Sequence, residues 1–141
     1  MQKIGCKTMS KKIIVASGKR KTAIAKATLK EGKGKVRINK IPVEEYEPKF
    51  YKLRMQEPLM LADDVVGKVD MEITVSGGGL MGQADAARLA IARALSEYSP
   101  KLKPIFLNYD RQLLVADVRF KETHKPNRHG GARAKKQKSY R

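Results

Sequence analysis

Apolar residues recur at every second position in two stretches of this chain and at helical spacing in a third. Val69, Met71, Ile73 and Val75 share one parity, with Asp70, Glu72 and Thr74 on the other. That alternation predicts a half-buried strand over residues 69–76. Ala23, Ala25, Ala27 and Leu29 alternate with Lys26, Thr28 and Lys30 in the same way, although Ala and Lys are weak strand formers. Ahead of them, Ile13-Ile14-Val15-Ala16-Ser17 is a short apolar run followed by the turn-like Gly18-Lys19-Arg20-Lys21. Glu31-Gly32-Lys33-Gly34-Lys35 has the composition of a hairpin turn, and Val36-Arg37-Ile38 returns as a short strand. Residues 13–40 therefore read as a three-stranded meander with basic turns.

The helical pattern lies further on. Ala84, Ala87, Ile91, Ala94, Leu95 and Tyr98 fall on one face of a helix that Ser99-Pro100 ends. Its small side chains suit close packing on a sheet. Between the meander and strand 69–76, Pro42, Pro48 and Pro58 divide the chain. Val43-Glu44-Glu45-Tyr46 suits one helical turn after a proline start, and Phe50, Leu53, Leu59, Met60 and Leu61 can anchor one or two brief helices. Pro104–Tyr109 reads as a last helical turn and Leu113-Leu114-Val115 as a last apolar anchor. No internal repeat is visible.

Charge adds what periodicity leaves out. Residues 1–40 carry a net +12, residues 41–118 a net −3 and residues 119–141 a net +8, within a total of +17. A near-neutral middle between two basic arms points to a nucleic-acid partner. A lysine-rich protein without such a partner would scatter its cations among glutamates. An anionic membrane fits less well, because the arms lack an apolar face with Trp or Phe. The organisation expected is a flexible basic leader over 1–12, a globular core over 13–118 and an extended basic tail over 119–141. The tail has too few aliphatic residues to fold alone, and 23 extended residues span up to roughly 75–80 Å.

Chemistry for turnover is scarce. The single cysteine, Cys6, excludes an internal disulfide and suits a reducing cytosol. Cys6, His124 and His129 are too few and too scattered for a zinc site. No apolar run approaches a membrane span, and no secretory leader is expected. No nucleophile, base and orienting carboxylate fall into an arrangement for hydrolysis. The expectations are no catalytic residues, no metal, no cofactor and no homo-oligomer.

Between strand 69–76 and the helix, Gly77, Gly79 and Gly82 satisfy G-x-G-x-x-G. The three preceding strands, however, do not form the βαβ unit of a dinucleotide fold. Gly77 and Gly82 also have phosphate-loop spacing, but Gln83 and Ala84 stand where the lysine and hydroxyl belong. A glycine-loop phosphotransferase is thus disfavoured. Two roles remain for the glycines: opening the helix N-terminus to an RNA phosphate, or supplying unusual φ angles.

Gly18 through Ala25, Val36-Arg37-Ile38-Asn39, Gly77 through Leu95 including Arg93, and the terminal Gly131 through Arg141 together resemble the ninth-protein family of the small ribosomal subunit, in its archaeal and eukaryotic form. The resemblance covers nearly the whole chain after the leader, and the last seven residues mark the archaeal-eukaryotic branch. It implies an α+β fold: a two-layer α/β sandwich with a mixed four-stranded sheet and helices on one face, like the second domain of small-subunit ribosomal protein five. It implies a non-enzymatic constituent of cytoplasmic ribosomes that supports translation. Its partners would be ribosomal RNA of the subunit head, neighbouring head proteins and P-site tRNA, whose anticodon arm the tail tip would meet. The RNA-binding residues expected are Lys19, Arg20, Lys21, Lys26, Arg37, Gly78, Gly79, Gln83, Arg128, Arg133, Lys135 and Lys136. Lys138, Ser139, Tyr140 and Arg141 are expected at the tRNA. The alternative is an RNA chaperone that uses the same basic arms outside the ribosome.

Overall fold

Alternation along the strands sets the first layer. The computed structural model describes residues 13–124 and Pro126; the expected leader, 1–12, and the tail from residue 127 onward lie outside the described residues. Strands β1 (Ile14–Arg20), β2 (Ala23–Glu31), β3 (Val36–Ile38), β4 (Ile41–Pro42) and β5 (Val69–Ser76) form one mixed sheet in the order β1-β2-β5-β3-β4. Ala23, Ala25, Ala27 and Leu29 of β2 and Val69, Met71, Ile73 and Val75 of β5 are buried on one face. The intervening residues look outward, as the period-two pattern requires.

Among the described residues, helices cover only the buried face. They are α1 (Lys49–Leu61), the single-turn α2 (Asp63–Val66), α3 (Leu80–Tyr98) and α4 (Leu102–Tyr109), with 3-10 turns at Val43–Glu45 and Arg111–Leu113. Helix α3 packs on β1, β2 and β5, and α1 lies against α3. The expected apolar face of α3 is buried, with Tyr98 half-buried. Ala86, Leu89, Ala90 and Ala92 are buried too, because α1 and α4 occupy its other sides. Alanines of α3 over alanines of β2 allow the close packing that the small side chains suggest. Phe106 and Leu113 complete the core from the C-terminal side.

Several expectations need correction. Among the described residues the sheet has five strands, the extra one being the two-residue β4. Residues 13–40 are not a meander, because β5 lies between β2 and β3, antiparallel to the first and parallel to the second. The segment read as a hairpin turn crosses the start of β5 instead. There the Asp70 carboxylate accepts the N–H groups of Lys33 at 2.8 Å and Lys35 at 2.9 Å, which holds the Asp70 carboxyl below the usual carboxylate range. Asn39 extends the short β3 by imitating backbone. Its amide donates to the Val75 carbonyl and accepts from the Val75 N–H.

Gly18 is also not in a turn. It lies within β1, buried under α3, where a Cβ would come 2.1 Å from the Ala86 carbonyl oxygen. The turn is Lys21-Thr22, with Lys21 at φ +53°. Helix α1 is one 13-residue helix rather than brief pieces. Pro48 sits at its N-cap, where no N–H is needed, and Pro58 falls in its last turn with its ring buried. Arg88, 6% exposed, joins the helical layer by pairing with Glu57 of α1 at 2.6 Å and Asp110 beyond α4 at 2.9 Å. Burial pushes the Asp110 carboxyl up, but the Gln112 N–H and Arg88 outweigh it and leave it lowered.

Candidate RNA-binding surface

Three structures meet at one end of the sheet: the Lys21-Thr22 turn, the glycine turn after β5 and the start of the tail. The contact of the first two is close because two glycines permit it. Gly77 has φ +74°, and a Cβ there would lie 2.6 Å from the Thr22 carbonyl oxygen. Gly78 has φ +67°, with the Ala23 nitrogen 2.9 Å from its virtual Cβ. Both positions therefore exclude ordinary side chains by conformation and by space. Gly79 differs. Its φ is −98°, nothing lies within 4 Å of its virtual Cβ, and it is the N-cap of α3 with no side-chain cap. Of the two roles left open for these glycines, unusual φ belongs to Gly77 and Gly78, and Gly79 leaves the helix start open. Gln83 steadies the turn by donating from Nε2 to the Gly77 carbonyl at 3.1 Å.

Lys19 and Lys21 are exposed at this end. Arg20 is not free. Its guanidinium lies 3.0 Å from Asp117 and 3.7 Å from Asp85, and donates to the Arg119 carbonyl at 3.4 Å. Asp85, in the second turn of α3, also pairs with Arg54 of α1. The structure thus brings Lys19, Arg20, Lys21, Gly78, Gly79 and Gln83 together.

Lys26 and Arg37 lie farther along the uncovered sheet face. Lys26 is exposed between Ser17 and Thr74 in the strand register, and Arg37 stands opposite Glu72. Lys30, exposed on the same face, and Lys35 beside β3 add cations that the expected set omits; the alternation that exposes Lys26 exposes Lys30 as well. Arg93, Arg54, Asp85 and Asp117 have no local pattern to announce a role, since each acts on residues distant in sequence. Arg128, Arg133, Lys135, Lys136, Lys138, Ser139, Tyr140 and Arg141 lie outside the described residues.

Gln83 and Ala84 follow the glycine turn where a phosphate loop would carry its lysine and hydroxyl. No strand follows α3 among the described residues, so the glycine turn is not part of a doubly wound sheet. Among the described residues no group of three or more His, Cys, Asp or Glu side chains is placed to hold a metal ion, and no helix is long and apolar enough to cross a membrane.

The geometry is that of a two-layer sandwich with one sheet face left open by the described residues, carrying Lys26, Lys30 and Arg37 beside the exposed Val15 and Ile24, and its family is shown by its relatives. The small ribosomal subunit protein uS9 of Methanococcus vannielii is 50% identical over 133 residues, covering 92% of this chain and 99% of its own. The uS9 protein of Methanococcus maripaludis strain C7 is 51% identical with the same coverage. Residues 18–141 match the family described as ribosomal protein S9/S16, and the chain belongs to that family. It is a structural, non-enzymatic constituent of the small subunit of cytoplasmic ribosomes. The archaeal relatives agree with the branch that the terminal motif implies.

Proposed function

We propose that this protein binds ribosomal RNA of the subunit head through its basic end and open sheet face, and reaches P-site tRNA with its C-terminal tail. The observation that carries the reading is the placement of Lys19, Lys21, Lys26, Lys30 and Arg37, all exposed, at one end and on one face of the sheet, whereas residues 41–118, which supply most of the helical layer, carry a net −3. Cations so gathered neutralise consecutive phosphates and release counterions. The open start of α3 at Gly79 suits a phosphate oxygen, since first-turn N–H groups carry partial positive charge. The tail supplies reach, and its tip supplies Lys138, Tyr140 and Arg141. Arg141 is suited to gripping a phosphate with two parallel hydrogen bonds, where a lysine is a point charge. Tyr140 can stack on a base or sugar.

The test is deletion of residues 135–141. Residues 135–141 hold no aliphatic side chain that a core could need, so the protein should fold and enter subunits normally. P-site tRNA should bind less tightly. Arg141→Ala alone should lose one charge-assisted contact, about 1.5–3 kcal/mol, and Arg141→Lys should recover part of it. Truncated subunits that hold P-site tRNA as tightly as wild type would make the tail an RNA anchor only.

A further inference from the structure

Among the described residues strand β1 is at the edge of the sheet, and the backbone groups on its outer side have no strand of the described chain to pair with. The chain after Leu113 passes along that edge. Arg93, from α3, donates to the Ser17 carbonyl at 2.8 Å and to the Leu114 carbonyl at 3.0 Å. Three residues further along β1, Arg20 reaches Asp117 at 3.0 Å and the Arg119 carbonyl at 3.4 Å. Asp117 in turn accepts the Arg119 N–H at 3.0 Å and pairs with its guanidinium at 2.7 Å. Segment 114–119 therefore advances in the same direction as β1, joined to it by side chains where a strand would use its backbone.

Apolar burial does not explain this placement. Leu113 is fully buried, Leu114 packs against the core and Ala116 is half-buried, but beyond them Val118 is 83% exposed and Phe120 73% exposed. From Leu114 onward the side chains of the core that hold the segment are Arg93, at the Leu114 carbonyl, and Arg20, at Asp117 and the Arg119 carbonyl. We propose that Arg20 and Arg93 are positioning residues for the tail: they staple residues 114–119 to the free edge of β1 and so set the point and direction from which the basic tail leaves the core. As a bearing on tRNA, the inference rests on the reading proposed above; as a statement about the tail's direction, it stands apart from it.

Slack alone would matter little. Opening the staples lengthens the free tail from about 22 residues beyond Arg119 to about 27 beyond Leu114. The local concentration of the tip falls as the −3/2 power of length, or about 1.4-fold. A larger effect at the far end reports lost direction.

The experiment uses the full chain with Cys6→Ser and spin labels on Thr28→Cys, in the open sheet face, and Lys121→Cys, just past the staples. The expected result is one narrow label–label distance distribution, which broadens in Asp117→Asn combined with Arg93→Gln and stays narrow in Asp117→Glu. Thermal unfolding should move little, since partly exposed ion pairs contribute little to stability. A distribution that is broad already in the parent protein, or equally narrow in the double variant, overturns the proposal. A second arm measures P-site tRNA on reconstituted subunits. The double variant should weaken binding at least threefold, beyond the roughly 1.4-fold that slack allows. If deletion of 135–141 weakens tRNA binding and the double variant does not, positioning at the P site is overturned and the tail reading survives. If the distribution broadens and neither variant weakens tRNA binding, the tail reading fails and the staples still fix the tail's direction.

Discussion

Replacing Gly18 by alanine adds one methyl group where α3 crosses β1. The added carbon would sit 2.1 Å from the Ala86 carbonyl oxygen, 2.8 Å from the Ala90 nitrogen and 3.1 Å from the Ala86 carbonyl carbon. An ordinary carbon–oxygen contact is about 3.3 Å or more, so the helix or the strand must retreat by about 1 Å. A gap of that size forfeits a quarter to a half of the dispersion energy across it, and α3 is the helix that covers β1, β2 and β5. Overpacking of this kind costs about 1–3 kcal/mol. The upper end applies because the obstacle is the backbone of a 19-residue helix. Reduced freedom of the unfolded chain returns about 0.4–1 kcal/mol, leaving a net loss of about 2–3 kcal/mol. For a core of this size the melting temperature should drop by about 10–20 °C, measured by circular dichroism on the isolated protein. Gly67→Ala is the control, since nothing lies within 4 Å of its virtual Cβ. Ala86→Gly should not rescue Gly18→Ala, because trimming a side chain leaves the carbonyl in place. A Gly18→Ala protein melting within about 2 °C of wild type would overturn this account.

Gly78→Val should lower stability or assembly, because φ +67° and the Ala23 nitrogen at 2.9 Å both oppose it; Gly79→Ala, at φ −98° with open space around it, should melt as wild type does. Equal melting of the two would remove the strain argument. Asp70, Asp110 and Asp117 all hold their protons less tightly in the folded chain than an ordinary aspartate at 3.8. Their contribution is therefore fully present above about pH 4 and is lost as pH falls through the lower folded values. Urea midpoints should stay level as far as these groups decide them down to about pH 5 and decline below about 4, and Asp70→Asn should soften that decline; an unchanged acid limb in Asp70→Asn would show its two backbone bonds to be immaterial. Lys26→Ala and Arg37→Ala should each reduce the salt slope of affinity for head ribosomal RNA by about one, seen in binding isotherms over a range of salt. Slopes identical to wild type would place the RNA elsewhere.

Local pattern carries the parts of this protein that depend on solvent alone. Strand 69–76, the alternating residues of β2 and the small-residue face of α3 are legible because burial on one side writes its period directly into the order of side chains. The uneven charge is legible for the same reason: Lys26, unlike Ala25 and Ala27, must face water or phosphate. Exposure of Lys19, Lys21 and Arg37 can be read in this way, as can the glycine turn, whose two roles the residues alone leave open.

Which distant segments meet is not written in residue order. Glu31-Gly32-Lys33-Gly34-Lys35 has the composition of a hairpin turn, yet the free energy of seating β5 between β2 and β3 depends on Asp70 and Asn39, both acting across more than 30 residues. Gly18 looks like a turn glycine because its need for a missing Cβ arises only when Ala86 is overhead. Arg20 looks like one more cation in a basic run, and only the folded chain sets Asp85 and Asp117 against it. Residue order alone thus settles the periods, the polarity of each face and the family. Strand order, the place of Gly18 and the pairing of Arg20 are settled only in three dimensions, since each is a contact energy between residues that the chain's covalent order keeps far apart.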